Sequence, residues 1–250
     1  MKNLRIIFRC CAVVKNINPN VKRPFGLTKE GLILKSLGSI IRSCEGLSKR
    51  VCFDIVDDSS SEDFIKKITQ VMEEAKLPYK IHSINVKNNG LSLEYCYHLA
   101  EKCKEDIIYF CEDDYFHLKN ALPWILDAYD HNIVGTGDFA VHPTDYPDFY
   151  IHLHPSYIFL SNYCHWRSIH GTTGTCFVTR KKFNKFKQHF FALAEFNKNN
   201  WGGELDTISL AWKEVPLIAP IKSLAAHMND ATLPPFIDWE QEVCMCPAMG

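Results

Sequence analysis

The sequence predicts an α/β protein: one domain built on a mostly parallel central sheet with helices packed on its faces. Three observations carry that expectation. Over residues 4–112, short apolar runs alternate with amphipathic stretches at helical spacing, the pattern of a sheet whose strands are joined by crossover helices. Three of those apolar runs end in polar clusters, and ligands of such sheets bind beyond the carboxyl ends of the strands. The length of 250 residues, with 46 % apolar and 23 % charged residues, suits a single large globular domain.

The elements follow in order. Leu4 to Val14 reads as a first buried strand, and residues 15–27, with Pro19, Pro24 and Gly26, as a loop. Thr28 caps a helix whose Leu32, Ile33, Leu37, Ile40 and Ile41 recur at helical spacing. Val51 to Val56 is a second strand, running into Asp57-Asp58-Ser59-Ser60-Ser61. An amphipathic helix over 62–76 closes at Leu77-Pro78. Tyr79 to Val86 is a third strand, ended by Asn88-Asn89-Gly90, and residues 91–104 form the next helix. Ile107 to Cys111 is a fourth strand leading directly into Glu112-Asp113-Asp114. Beyond about residue 115 the grain changes. A helix over 118–130 precedes loops, strand-like runs at Tyr157–Leu160 and Thr175–Thr179, and a helix from about Lys181 to Phe196. Residues 204–213 read as a short helix and 214–250 as an irregular closing segment with five prolines.

Charge and cysteines bound the function. With 28 basic and 29 acidic side chains the formal charge is −1, which argues against a nucleic-acid partner, since phosphate neutralisation needs a basic surface. No run reaches the roughly 18 apolar residues of a membrane span, and Arg5 and Arg9 interrupt any signal-peptide core. Eleven cysteines, an odd count without a C-x-x-C pair, read as thiols in a reducing compartment, which places the chain in the cytoplasm.

Three clusters carry candidate chemistry. Glu112, Asp113 and Asp114 repel one another unless a cation neutralises them, and hard oxygen ligands suit Mg²⁺ or Mn²⁺; a solvated acidic turn is the plain alternative. Asn200-Trp201-Gly202-Gly203-Glu204-Leu205-Asp206 sets two acids behind a stacking ring and a glycine pair, so Glu204 or Asp206 serves either as a general base or as an ordinary helix cap. His227, in Ala226-His227-Met228, gains interest only as a further metal ligand beside the acids. His165-Trp166-Arg167 offers a ring and a donor for a sugar, against core packing for Trp166, and His170 to Thr175 supplies hydroxyls on a tight loop.

The order of Asp57-Asp58, Asn88-Asn89-Gly90 and Glu112-Asp113-Asp114 on successive strands resembles the nucleotide-sugar half of GT-A-fold glycosyltransferases, notably family 2-like enzymes. The resemblance implies a Rossmann-like GT-A sheet, with residues 1–115 as the nucleotide-sugar-binding half and 116–250 as the acceptor and catalytic-base half. By it, Asp57 or Asp58 contacts the nucleobase, and Arg9 and Asn89 lie near the nucleotide. Glu112, Asp113 and Asp114 form a D-x-D-type group, with Asp114 the preferred direct ligand of Mn²⁺ or Mg²⁺ and His227 completing the site. Trp201-Gly202-Gly203-Glu204-Leu205-Asp206 is similar to the W-G-G-E-D-D segment of β-1,4-galactosyltransferases, which carries the base. Leu205 stands where that base would follow the Glu, so the role passes to Asp206, preferred, or Glu204. Trp166, Arg167 and Trp201 would face the acceptor. The implied activity is metal-dependent, inverting transfer of a sugar from a nucleoside diphosphate sugar, with a UDP-sugar the preferred donor, to a glycan or other hydroxyl acceptor. Two alternatives stand beside it. A sugar nucleotidyltransferase is disfavoured because Cys10 to Asn18 holds no glycine, and a carbohydrate-binding module with a structural divalent ion would have little need of a nucleotide pocket.

Overall fold

The computed structural model describes residues 1–13, 23–135, 137–151, 155–172 and 174–246. The expected features that fall on Val14, on loop residues 15–22, on Thr173 of the hydroxyl-bearing loop and on 247–250 of the closing segment lie outside the described residues.

In chain order the elements are β1 (Leu4–Cys10), α1 (Lys29–Ser43), β2 (Val51–Asp58), α2 (Glu62–Ala75), β3 (Tyr79–Ile84), α3 (Asn89–Glu101), β4 (Ile107–Glu112), β5 (Tyr115–His117) and α4 (Ala121–Asp130). There follow β6 (Ala140–Val141), β7 (Ile158–Leu160), β8 (His165–Ile169), β9 (Cys176–Thr179), α5 (Arg180–Phe196), β10 (Leu217–Pro220), β11 (Ala225–His227) and α6 (Trp239–Met245). The local signals behave as side-chain chemistry dictates. Thr28, Ser61 and Asn88 each accept a hydrogen bond from a backbone N–H in the first turn of α1, α2 and α3.

Among the described residues the main sheet runs β3-β2-β1-β4-β9-β6-β10-β8-β7. β3, β2, β1 and β4 are all parallel, as expected. Past β4 the sheet becomes mixed, because β9 returns antiparallel to both β4 and β6 and β8 lies antiparallel to β10. The chain moves outward from β1 to β3, then crosses back to place β4 on the other side of β1. That reversal opens a crevice at the carboxyl ends of β1 and β4.

Alternation along β1 divides the core. Leu4, Ile6, Phe8 and Cys10 pack with α1, α2 and α4 on one face, and Ile7 packs with α3 and α5 on the other. One apolar cluster thus joins strands from both ends of the chain, Phe8 to Ile218, in a single domain. The closing segment is less irregular than its prolines suggest. β10 lies inside the sheet and β11 pairs antiparallel with β5, register His227 to Tyr115. His165-Trp166-Arg167 likewise lies in the sheet, at the start of β8. No described helix is long and apolar enough to cross a membrane.

Candidate active site

The crevice at the β1–β4 switch holds a cavity of about 220 Å³. Arg9 and Cys10 come from β1 and Cys11 follows it, Asn88, Asn89 and Ser92 come from the start of α3, Glu112 ends β4 with Asp113 and Asp114 just beyond, and Lys29, Asp58, Lys87 and Trp201 complete the wall. Residues spread over nearly two hundred positions meet there because parallel strands all end on one edge.

Each acid of the Glu112-Asp113-Asp114 run has its own basic partner. Arg9 Nη2 donates to Glu112 Oε1 at 2.5 Å, and Thr175 Oγ1 donates to Glu112 Oε2 at 3.2 Å. Lys29 Nζ donates to Asp113 Oδ1 at 2.6 Å, and the Cys11 amide donates to Asp113 Oδ2 at 3.0 Å. His227 Nε2 lies 3.2 Å from Asp114 Oδ2. Burial works against the charges of Arg9 and Lys29, but Glu112 and Asp113 outweigh it and raise both cations above their ordinary values. Burial likewise opposes the Asp114 carboxylate, yet His227, Lys29 and Arg9 hold it well below the usual range. The His227 imidazole is raised by Asp114 against its own desolvation.

This pairing changes the expected metal set. Among the described residues no three His, Cys, Asp or Glu side chains converge as a protein cage. Glu112, expected as a ligand, has both oxygens engaged by Arg9 and Thr175, because β4 ends beside the inward-facing guanidinium of β1. Asp114 and His227 remain. Asp114 Oδ1 is buried with no hydrogen-bond partner, and the β5–β11 ribbon brings the imidazole beside it, the Met228 amide donating to the Asp114 carbonyl at 2.8 Å. A buried carboxylate oxygen without a partner next to an imidazole is a donor pair that would suit a hard divalent ion.

The two aspartates of β2 separate. Asp57 accepts from the Ser60 amide and the Cys10 thiol, burial raises its carboxyl, and it faces an adjoining cavity of about 560 Å³. Asp58 lines the β1–β4 cavity, and its Oδ1 accepts from the amides of Val86 and Lys87 at 3.0 Å each, which ties the end of β2 to the chain leaving β3. Arg9 Nη1 donates to Asn89 Oδ1 at 2.7 Å, so those two expected residues do meet.

The second half divides too. Trp201 is 57 % exposed at the cavity wall. Residues 204–207 form a turn, with Glu204 half-buried and Asp206 exposed. Gly203 has φ +82°, and a Cβ there would meet the Phe196 ring at 2.5 Å, so both backbone and packing require glycine. Trp166 does not offer a face to an acceptor: its ring is 0 % exposed within the core. Alternation along β8 turns Arg167 to the opposite face, where it is buried by its own partners: Nη2 donates to Asp145 Oδ1 at 2.5 Å and the guanidinium stacks 4.2 Å over Tyr150. Lys29 and Lys87 were not singled out in the sequence. A lysine in the first turn of α1, where the helix dipole disfavours a cation, is the signal that marks Lys29.

Taken together, a parallel α/β switch crevice lined by cations and paired acids defines the class: a GT-A-type α/β domain. A family model described as glycosyl transferase family 2 matches residues 28–186, more than half the chain. The chain belongs to that family. A comparison with curated proteins matched none. Among solved structures, TarS from S. aureus superposes with a TM-score of 0.56 at 12 % identity over 89 % of this chain and 36 % of that one. TarS residues 1–349 in complex with UDP superposes with a TM-score of 0.52 at 11 % identity, over 89 % of this chain and 59 % of that one. The likeness is one of fold. The chain spans between a third and three fifths of the length of these structures.

Proposed function

We propose that this chain transfers a sugar from a nucleoside diphosphate sugar, with a UDP-sugar the preferred donor, to an acceptor hydroxyl. The observation that carries the reading is the β1–β4 cavity, where Arg9, Lys29 and Lys87 face Glu112, Asp113 and Asp114 at the switch point of a family 2 fold. The similarity to a fold solved with UDP supports the choice of nucleotide. Arg9 and Lys29 hold charges matched to a diphosphate, and Asp58, fastened to the 86–87 backbone, borders the base-binding side. Asp114 and His227 would hold Mn²⁺ or Mg²⁺, which when bound supplies charge neutralisation for the departing diphosphate.

On the acceptor side, Trp201 presents a ring on which the C–H face of a sugar can stack. Glu204 is better placed than Asp206 to take the hydroxyl proton, because it is half-buried beside Gly202 while Asp206 stands in solvent. Attack on the anomeric carbon from that side, opposite the diphosphate, inverts the configuration.

The test is thermal unfolding with UDP, GDP or TDP, with and without Mn²⁺. A nucleotide at about 100 times its dissociation constant adds about 2.7 kcal/mol, and the reading requires UDP plus Mn²⁺ to stabilise most. If no nucleoside diphosphate shifts the midpoint in the presence of metal, the reading fails.

A further inference from the structure

Asn197, at the carboxyl end of α5, is 6 % exposed and belongs to no motif in the sequence. Its side chain joins the cavity to the turn that carries Trp201. Arg9 Nη1 donates to Asn89 Oδ1 at 2.7 Å, Asn89 Nδ2 donates to Asn197 Oδ1 at 3.0 Å, and Asn197 Nδ2 donates to the Gly202 carbonyl at 2.9 Å and to the Leu193 carbonyl at 2.9 Å. At the other end Arg9 Nη2 donates to Glu112.

The direction of this line is forced. A guanidinium has donors only, so it must meet the oxygen of Asn89, which turns the Asn89 NH₂ toward Asn197. That in turn requires the Asn197 oxygen, leaving the Asn197 NH₂ for two carbonyls that accept only. No single amide can flip without placing donor against donor. The backbones lock as well. The Gly90 amide donates to the Asn197 carbonyl at 3.1 Å, and a Cβ on Gly90 would lie 2.2 Å from the Ala194 carbonyl oxygen.

We propose that Asn197 is a positioning residue that holds the Trp201–Asp206 turn in register with the donor cavity through the line Glu112–Arg9–Asn89–Asn197–Gly202. Asn197 touches neither donor nor acceptor; it sets where the acceptor-side turn stands relative to the diphosphate. The significance for catalysis rests on the transfer reading above, whereas the link itself is tested without substrate.

Two substitutions separate the arms. Asn197→Asp keeps an oxygen for Asn89 but sets a carboxylate against the Leu193 and Gly202 carbonyls; Asn197→Ala removes both arms. Amide hydrogen exchange on the ligand-free protein should quicken at least tenfold at residues 202–207 in both variants, with β1 and β2 unchanged. UDP affinity with Mn²⁺ should stay within threefold of wild type in Asn197→Asp. Its kcat for hydrolysis of UDP-hexoses, with water taking the hexosyl group and UDP leaving, should fall by thirtyfold or more at nearly constant donor KM. Unchanged exchange at 202–207 in both variants overturns the link. Loss of UDP affinity in Asn197→Asp by the same factor as kcat overturns the positioning role, since it would mean that Asn197 merely maintains the pocket. A wild-type protein that binds no nucleoside diphosphate refutes the transfer reading, and the exchange result still decides the link.

Discussion

Asp114 and Lys29 show how single side chains set the character of the cavity. Asp114 has one oxygen beside His227 and the other buried without a partner, so its loss removes charge at the site while leaving the core packing in place. Asp114→Ala is expected to lower turnover by about 10²–10³-fold, the usual range for removing one preorganised electrostatic contact, while the far-UV circular dichroism stays that of wild type. Lys29 is a cation tethered to Asp113, and at the proposed metal site it would compete with a divalent ion for the acids. In Lys29→Met, Mn²⁺ without nucleotide should bind about tenfold more tightly by calorimetric titration, because a like charge a few ångströms away has gone. For the base, Glu204→Gln should cost about 10²–10⁴-fold in kcat and Asp206→Asn much less. The reverse order of losses returns the role to Asp206. All three acids were legible as residues with chemistry, and the family resemblance set His227 beside Asp114; Lys29 was not singled out, because it lies 84 positions from Asp113 along the chain.

Elements carry the next level. α3 begins at the cavity, and its second residue, Gly90, packs against the backbone of α5 so closely that no side chain fits. Gly90→Ala must push the two helices apart. The expected cost is about 1–3 kcal/mol in urea unfolding, together with weaker UDP binding, as Asn89 is carried away from Arg9. Unaltered stability and affinity would show that the junction yields freely. Element existence was readable over residues 4–112, where apolar runs, caps and prolines agree. The second half was less readable. β8 and β10 were missed: a strand with a buried Arg167–Asp145 pair, and one bounded by Pro216 and Pro220, do not look apolar or regular in sequence.

The whole molecule responds to acid through histidines that its core keeps neutral. Burial lowers His117 to about 3 and His142 to about 4. Between those values and about 6.5 the unfolded chain binds protons that the native chain does not, so stability rises with pH across that window and is lost as pH falls. Each histidine contributes up to about 1.4 kcal/mol per pH unit. His227 acts in the opposite sense: its raised value adds stability that is complete below about 6.5 and fades as pH climbs through the folded value. Urea unfolding at pH 7, 6 and 5 should therefore show a falling midpoint. A midpoint that is level or rising toward pH 5 would show that the raised groups, His227, Asp57 and Asp145, outweigh the two neutral histidines.

The sequence by itself determined the α/β class, the parallel first half and the ends of strands where chemistry gathers. These follow from periodicity and capping, which act within a few residues. Tertiary structure alone decided which acid meets which base, that Trp166 lies in the core while Trp201 stands at the cavity, and that Asn197 links the two sides. Those outcomes depend on strand order and crossover, which bring distant residues within hydrogen-bond reach and leave no local pattern in the chain.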